Sequence, residues 1–281
     1  MKRLFIFILA VGCALAVRGA TETETMADRT LRQLVERQRE LFAEAAKDNP
    51  NFDDEAFRTQ VQQLTHGFER LVNENPKFAA AYAAYGYLLG KVDMRKESVA
   101  LLMKANQLDP NLPLVKNQLG NFLAEEGKPL EAVNYFLAAI KLAPNEPLYH
   151  YQLGTLLVEA RDDFIKSGSW TAATIEDGMH KAFRRASELA PERFEFAYRY
   201  AESFYDLEKP DWETALKVWG ALEEKAPTPI EREAMRLHAA NILLKQGKAD
   251  HARALLGTVT EPSLQSQKEK LVAQLPETGK K

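Results

Sequence analysis

A single cysteine, Cys13, occurs in the whole 281-residue chain. One thiol cannot close an internal disulfide, and it cannot build a cysteine-based metal site. Stability therefore has to come from packing alone. Glycine occurs 14 times but never in a pattern that cradles phosphates: no P-loop and no dinucleotide-binding fingerprint is present. A basic excess is missing too. With 37 Lys and Arg against 40 Asp and Glu, the net charge is −3, even with Lys2, Arg3 and Arg18 counted. A mildly acidic chain carries no electrostatic footprint for nucleic acid, so no nucleic-acid partner is expected. The five histidines, His66, His150, His180, His238 and His251, show no zinc spacing. Asp162 with Asp163 and Glu223 with Glu224 are adjacent carboxylates, and neighbours on a helix point apart, which makes them poor acid–base pairs. No catalytic residue, metal ligand or cofactor is expected, and the chain reads as a non-enzyme.

Long apolar runs are equally scarce, with one exception at the start. Residues 1–20 read MKRLFIFILAVGCALAVRGA: two positive charges, an apolar stretch from Leu4 to Val17, then small residues. That is the pattern of a secretory signal peptide, too short and wrongly flanked for a stable membrane span. Cleavage after Ala16, Gly19 or Ala20 fits, and an uncleaved anchor is the alternative. Ala10-Val11-Gly12-Cys13 loosely resembles a bacterial lipobox, which leaves lipidation at Cys13 open. An exported, periplasmic or cell-surface location in a bacterium follows as an expectation. Membrane attachment is expected only through a lipidated Cys13 or an uncleaved signal.

What the chain does have is proline in a regular place. Glu74-Asn75-Pro76, Leu108-Asp109-Pro110 and Leu142-Ala143-Pro144 recur at intervals of 34 residues, and Leu189-Ala190-Pro191 and Lys225-Ala226-Pro227 follow after 47 and 36. A period near 34 marks a helix–turn–helix solenoid. Upstream of each proline lies the same constellation. The sets are Gly86, Ser98, Leu102, Ala105; Gly120, Ala132, Phe136, Ala139; Gly154, Met179, Phe183, Ala186; and Ala201, Ala215, Trp219, Leu222. A fainter fifth set is Ala240, Ala252, Leu256, Val259, without its proline. Antiparallel helices approach closely only where side chains are small, which explains the Gly or Ala. Proline cannot continue a helix, so it stops the second helix of each unit.

These positions resemble the tetratricopeptide repeat family over roughly residues 77 to 260. The resemblance implies an all-α fold: a right-handed α-solenoid of antiparallel helix pairs, with N- and C-terminal capping helices. The repeats fall at about 79–112, 113–146, 147–193, 194–229 and 230–260. The early aromatic of the family pattern is present as Tyr82 but is replaced by Lys116, His150 and Ala197 in the next three units. Residues 21–76 read as a degenerate leading pair, with Thr25 and Asp28 as a capping box and a second helix from about Asp53. Thr228, Pro229 and Glu231 open the fifth unit in the same way. Residues 261–281 read as a polar capping helix and tail.

The third unit carries 13 extra residues, between Gly154 and Met179. The expected arrangement is a first helix lengthened through about Ile165, then a loop over Ser167-Gly168-Ser169 that presents Trp170, either as a contact or packed onto the ridge.

The resemblance also implies a protein-binding groove lined by first helices. Carried over position by position, the groove falls on Tyr87, Asn117, Asn121, Tyr151, Tyr198, Glu202 and Asn241, with Leu148, Thr155 and Glu195 beside them. Asn117 and Asn121 are four apart, so they share a helix face. Lys91 and Arg199 are the only cations expected near the groove, while Glu159, Glu195, Glu202 and Asp206 make its later half acidic, which suits a neutral or basic segment. The expected role is a scaffold or adaptor that binds a protein or peptide partner. Self-association through solenoid ends or the Trp170 loop, giving a homo-oligomer, is the alternative.

Overall fold

The computed structural model describes residues 24–47, 50 and 52–276. The expected export segment and Cys13 lie outside them. Among the described residues no helix is long and apolar enough to cross a membrane. All regular structure there is helical, and it divides into two compact units, Met1–Glu126 and Gly127–Lys281. The division falls in the turn inside the second repeat.

The first unit holds α1 (Met26–Ala45), α2 (Asp54–Glu74), α3 (Ala79–Lys91), α4 (Arg95–Leu108) and α5 (Pro113–Glu125). Thr25 opens α1 with the expected capping box: its hydroxyl accepts from the Asp28 N–H at 3.1 Å while its own N–H donates to the Asp28 carboxylate at 3.0 Å. Asp53 caps α2. Leu31 and Leu41 of α1, Leu64, Phe68 and Leu71 of α2 and Ala81, Ala84 and Leu88 of α3 form one core, so the leading pair is continuous with the first repeat.

Gly86 shows why a small residue sits where α3 crosses α4. A Cβ there would lie 2.8 Å from Leu102 Cγ. The Ser98 hydroxyl uses the same closeness to donate to the Gly86 carbonyl at 2.6 Å. The turn between the two helices needs a left-handed residue, here Asp93 at φ +64°, after which the Met94 N–H closes onto the Leu89 carbonyl at 2.9 Å.

The second unit runs through α6 (Pro129–Leu142), α7 (Pro147–Glu159), α8 (Arg161–Lys166), α9 (Ala172–Leu189) and α10 (Phe194–Ser203), which tightens into a 3-10 turn at Phe204–Asp206. It continues with α11 (Trp212–Lys225), α12 (Pro229–Lys245), α13 (Ala249–Gly257), a second 3-10 turn at Pro262–Leu264 and α14 (Gln265–Val272). Here α7 pairs with α9, α11 with α12 and α12 with α13. The Asp93 turn has its equivalent in Gly247 at φ +72°, closed by the Lys248 N–H on the Leu243 carbonyl at 2.9 Å. Across the chain the second-helix residues of the repeated constellation are core: from Ser98, Leu102 and Ala105 through to Ala252, Leu256 and Val259, none is more than 2% exposed.

The third repeat departs from expectation. Its first helix is not lengthened: α7 stops at Glu159, and the extra residues form the short α8 and an extended start of α9. Ala160 caps both neighbours, lying outside helical geometry at φ −104°, ψ 21°. Gly168, at φ +74°, makes the reversal, and Thr171 then caps α9. Trp170, in the connection before α9, takes the packed one of its two expected arrangements. It is half-buried, its ring 5.1 Å from that of Phe164, which is fully enclosed.

The carboxylate of Glu233 on α12 fastens the C-terminal end. It accepts the N–H groups of Thr260 and Glu261, each at 2.7 Å, and the Thr260 hydroxyl at 2.9 Å. That places Leu264 in a core with Leu237, Ala240, Leu256 and Val259, while α14 itself buries no residue.

The α7–α9 crossing yields a test. A Cβ on Gly154 would meet the Phe183 ring at 2.8 Å, whereas one on Gly220, within α11, would meet nothing. Gly154→Ala is expected to lower the unfolding free energy by about 1–3 kcal/mol through overpacking. Gly220→Ala is expected to raise it by up to about 1 kcal/mol through helix propensity. Urea unfolding of the two variants beside the parent checks both signs.

Candidate functional site

The candidate groove residues fall in both units, and each unit is described by itself. In the first, Tyr87 and Asn121 are half-buried and Asn117 is wholly enclosed. Tyr87 lies on α3 one turn before Lys91, whose ammonium is 5.6 Å from the Tyr87 ring centroid. Partial burial holds the Lys91 amine below its ordinary range. Asn117 corrects the expectation that it grips a partner from the surface. It is 0% exposed, and neither its Nδ2 nor its Oδ1 has a hydrogen-bond partner among the described residues. Val115, Asn117, Leu119 and Gly120 are all buried on α5, so that helix is covered on more than one side. Helical spacing shows that Asn117 and Asn121 share a face, not how deeply each is covered.

In the second unit Tyr151, Tyr198, Glu202 and Asn241 belong to one band of rings and carboxylates carried by the first helices α7, α10 and α12. Tyr151 stacks on Phe196 at 4.8 Å and meets Phe183 edge-on at 5.7 Å. Its hydroxyl donates to Glu195 at 2.9 Å. Burial, reinforced by that carboxylate, drives the phenol well above the usual tyrosine range. Tyr198 sets its ring edge on Trp219 at 5.3 Å. Glu202 pairs with Arg199 at 2.6 Å, and the Arg199 guanidinium lies 5.0 Å over the Phe183 ring. The band therefore carries charge of both signs on a fixed aromatic bed.

Three residues of this band, His238, Tyr205 and Trp219, were not expected as site residues. His238 lies flat on Trp219, centroids 3.9 Å apart and planes 1° from parallel. Its Nε2 is 3.5 Å from the Tyr198 hydroxyl, and its Nδ1 is 3.4 Å from that of Tyr205. Tyr205 also donates to the His238 carbonyl at 3.3 Å and is hydrogen-bonded by Asn241, and burial pushes its phenol up to about 12. The available signal was spacing: His238 precedes Asn241 by three residues, so both project from the same side of α12. Trp219 was read as repeat core. It is fully buried, yet its Nε1 finds no partner among the described residues, and its ring is the surface on which Tyr198, Tyr205 and His238 meet. Among the described residues no group of His, Cys, Asp and Glu converges to hold a metal ion.

Trp170 takes no part in this band. Its contact with Phe164 is the ridge-packed arrangement, one of the two expected for it.

Stacked antiparallel helix pairs with a small residue at each crossing define the class: a helical repeat solenoid. Residues 115–146 match the sequence model for the tetratricopeptide repeat. The chain thus contains a tetratricopeptide repeat, and its fold is of the tetratricopeptide α-solenoid type. The fold is similar to that of YrrB, a tetratricopeptide protein described as having an unusual peptide-binding site, with a TM-score of 0.57 at 19% identity over 76% of this chain and 95% of that one. It is similar also to PilF of Pseudomonas aeruginosa, with a TM-score of 0.58 at 14% identity over 89% of this chain and all of that one. PilW, described as a widely conserved type IV pilus biogenesis factor, matches with a TM-score of 0.55 at 12% identity, again over 89% of this chain and all of that one. No curated protein matches the sequence significantly.

The buried groups make two predictions. Asn117→Leu keeps the heavy-atom count and removes an unsatisfied amide, so it is expected to stabilise the protein by about 1–3 kcal/mol. A loss of similar size in denaturant titration would mean that the amide is paired in solution. The second concerns acid. Burial holds the His238 imidazole below its ordinary value, with Glu202 opposing. An unfolded histidine titrates near about pH 6.5, so on acidification the unfolded chain takes up that proton first. The contribution of His238 is thus complete above about pH 6.5 and is lost as pH falls through the lower folded value. Stability measured from pH 7.5 downward should fall more steeply in the parent than in His238→Gln. Parallel profiles would exclude His238 as a titrating group.

Proposed function

We propose that this protein is a non-catalytic scaffold of the bacterial envelope that holds a peptide segment or partner helix on the α7, α10 and α12 face. One observation carries the reading. Tyr151, Tyr198, Glu202 and Asn241, from three different helices, are each half-buried in a single aromatic and carboxylate band. Rings immobilised by their neighbours offer contact area with little entropy left to lose. The hydroxyls and the Asn241 amide supply hydrogen-bonding groups at defined spacing.

Sequence supports the cellular half of the reading. Residues 1–20 have the charge, apolar run and small residues of an export signal, and removal leaves a chain without cysteine unless Cys13 is retained as a lipid-bearing terminus. The similar folds include one protein described by a peptide-binding site and another described as a pilus biogenesis factor, which is consistent with a binding role in the envelope. Glu195 and Glu202 favour a neutral or basic occupant.

Affinity capture from an envelope extract tests the proposal. The parent is expected to retain a partner that Glu202→Lys and Asn241→Ala lose, each variant having first been shown to melt as the parent does. A partner held equally well by parent and both variants would rule out this face.

A further inference from the structure

The His238 ring meets a hydroxyl at each nitrogen, and the protons around it can be counted. Tyr205, in the 3-10 turn after α10, spends its hydroxyl proton on the His238 carbonyl at 3.3 Å. Its oxygen is therefore an acceptor toward Nδ1, 3.4 Å away, and Nδ1 carries the ring proton. That leaves Nε2 of the neutral ring as a bare acceptor. It faces the Tyr198 hydroxyl at 3.5 Å, and the same hydroxyl is hydrogen-bonded to the Glu202 carboxylate. Tyr198 thus has one proton and two acceptors before it. With the imidazole neutral, the chain from ring to carboxylate is one proton short.

A proton taken from water onto Nε2 completes the chain. The ring becomes a donor to Tyr198, and the Tyr198 hydroxyl then donates to Glu202 without competition. Charge-assisted bonds are shorter than neutral ones, so the loose Nε2–Tyr198 contact has room to tighten. The groups around the ring can be named element by element. From α10 come Tyr198 and Glu202, the latter paired with Arg199; from the turn comes Tyr205, and from α11 the uncharged Trp219. The helices α13 and α14 also pack on α12, but Glu202 is the one charged group among the described residues that bears on the ring. Two of these neighbours suit an imidazolium although burial opposes it. The indole of Trp219 lies flat against the ring at 3.9 Å, and its face attracts a cation. Glu202 supplies the opposite charge.

We propose that His238, Tyr198 and Glu202 form a proton relay, in which a proton taken up by His238 in acid is registered at Glu202 on the face assigned to the partner. Once engaged by Tyr198 as well as Arg199, the Glu202 carboxylate has fewer lone pairs to offer a basic segment. That use of the relay rests on the scaffold reading above; the relay itself does not.

Solution NMR of the purified protein tests the relay with no partner present. The ring signals of His238, assigned through His238→Gln, are followed against pH. Tyr198→Phe and Glu202→Gln are each expected to weaken proton binding at His238 about threefold or more. The double variant should fall short of the product of the two effects, because Glu202 acts through Tyr198. His180 is the control: it lies on α9, its Nδ1 is 2.8 Å from the Ser203 hydroxyl, and its midpoint should stay where it is. The Glu202 carboxyl carbon, labelled in ¹³C, should show an inflection at the His238 midpoint that Tyr198→Phe removes. An unmoved His238 midpoint in Tyr198→Phe, effects that multiply fully, an equal shift at His180, or a Glu202 signal without that inflection would each overturn the relay. The relay and the face can fail separately. Capture lost in Glu202→Lys and Asn241→Ala, with His238 indifferent to Tyr198→Phe, sinks the relay alone. A Tyr198-dependent titration, with capture unaffected by those two substitutions, upholds the relay and removes the face.

Discussion

No helix pair in this protein can bury its apolar side by itself, and the approach of one helix to the next is what makes burial possible. That approach is set by a missing side chain. Where α3 meets α4, Leu102 occupies the place a Gly86 Cβ would take, and where α7 meets α9 the Phe183 ring does the same at Gly154. Once the helices are that close, the residues one turn further along become fully enclosed, Trp219 and Leu222 as much as Leu102 and Ala105. With one cysteine and so no internal disulfide to compensate, the stack depends on these contacts.

The same economy shapes the aromatic band of the second unit. Trp219 is a repeat-core residue by position, yet its ring supports Tyr198, Tyr205 and His238. Core and display surface are therefore not separate layers. A substitution that loosens Trp219 disturbs the presentation of groups on two first helices, α10 and α12. Rigidity of this kind favours a face whose hydrogen-bonding groups are already arranged before a partner arrives.

Much of the fold was legible because its signals are periodic and local. The prolines and the Gly–Ala–bulky–Ala pattern mark the helix pairs, and Thr25 with Asp28 and Thr228 with Glu231 form the capping boxes their spacing implies. The inserted segment was less legible, because Ala160 carries no breaker chemistry and yet leaves helical geometry between α7 and α8. Burial was the other gap. Asn117 and Asn121 share a face by helical spacing, but one is enclosed and the other half-exposed, a difference that spacing does not carry. His238 was passed over for the same reason, since a histidine acquires meaning here only from the tryptophan it lies against.

The third repeat absorbs its extra residues as α8 and a longer α9, while the Gly154–Phe183 contact keeps the form seen at Gly86 and Leu102. The insertion has thus been confined to one module. Because each module answers only to its immediate neighbours, mutation can lengthen, recharge or trim one of them while the rest of the array goes on folding as before. A lineage of such proteins can therefore try new recognition surfaces one repeat at a time, with the inherited scaffold kept as a constant.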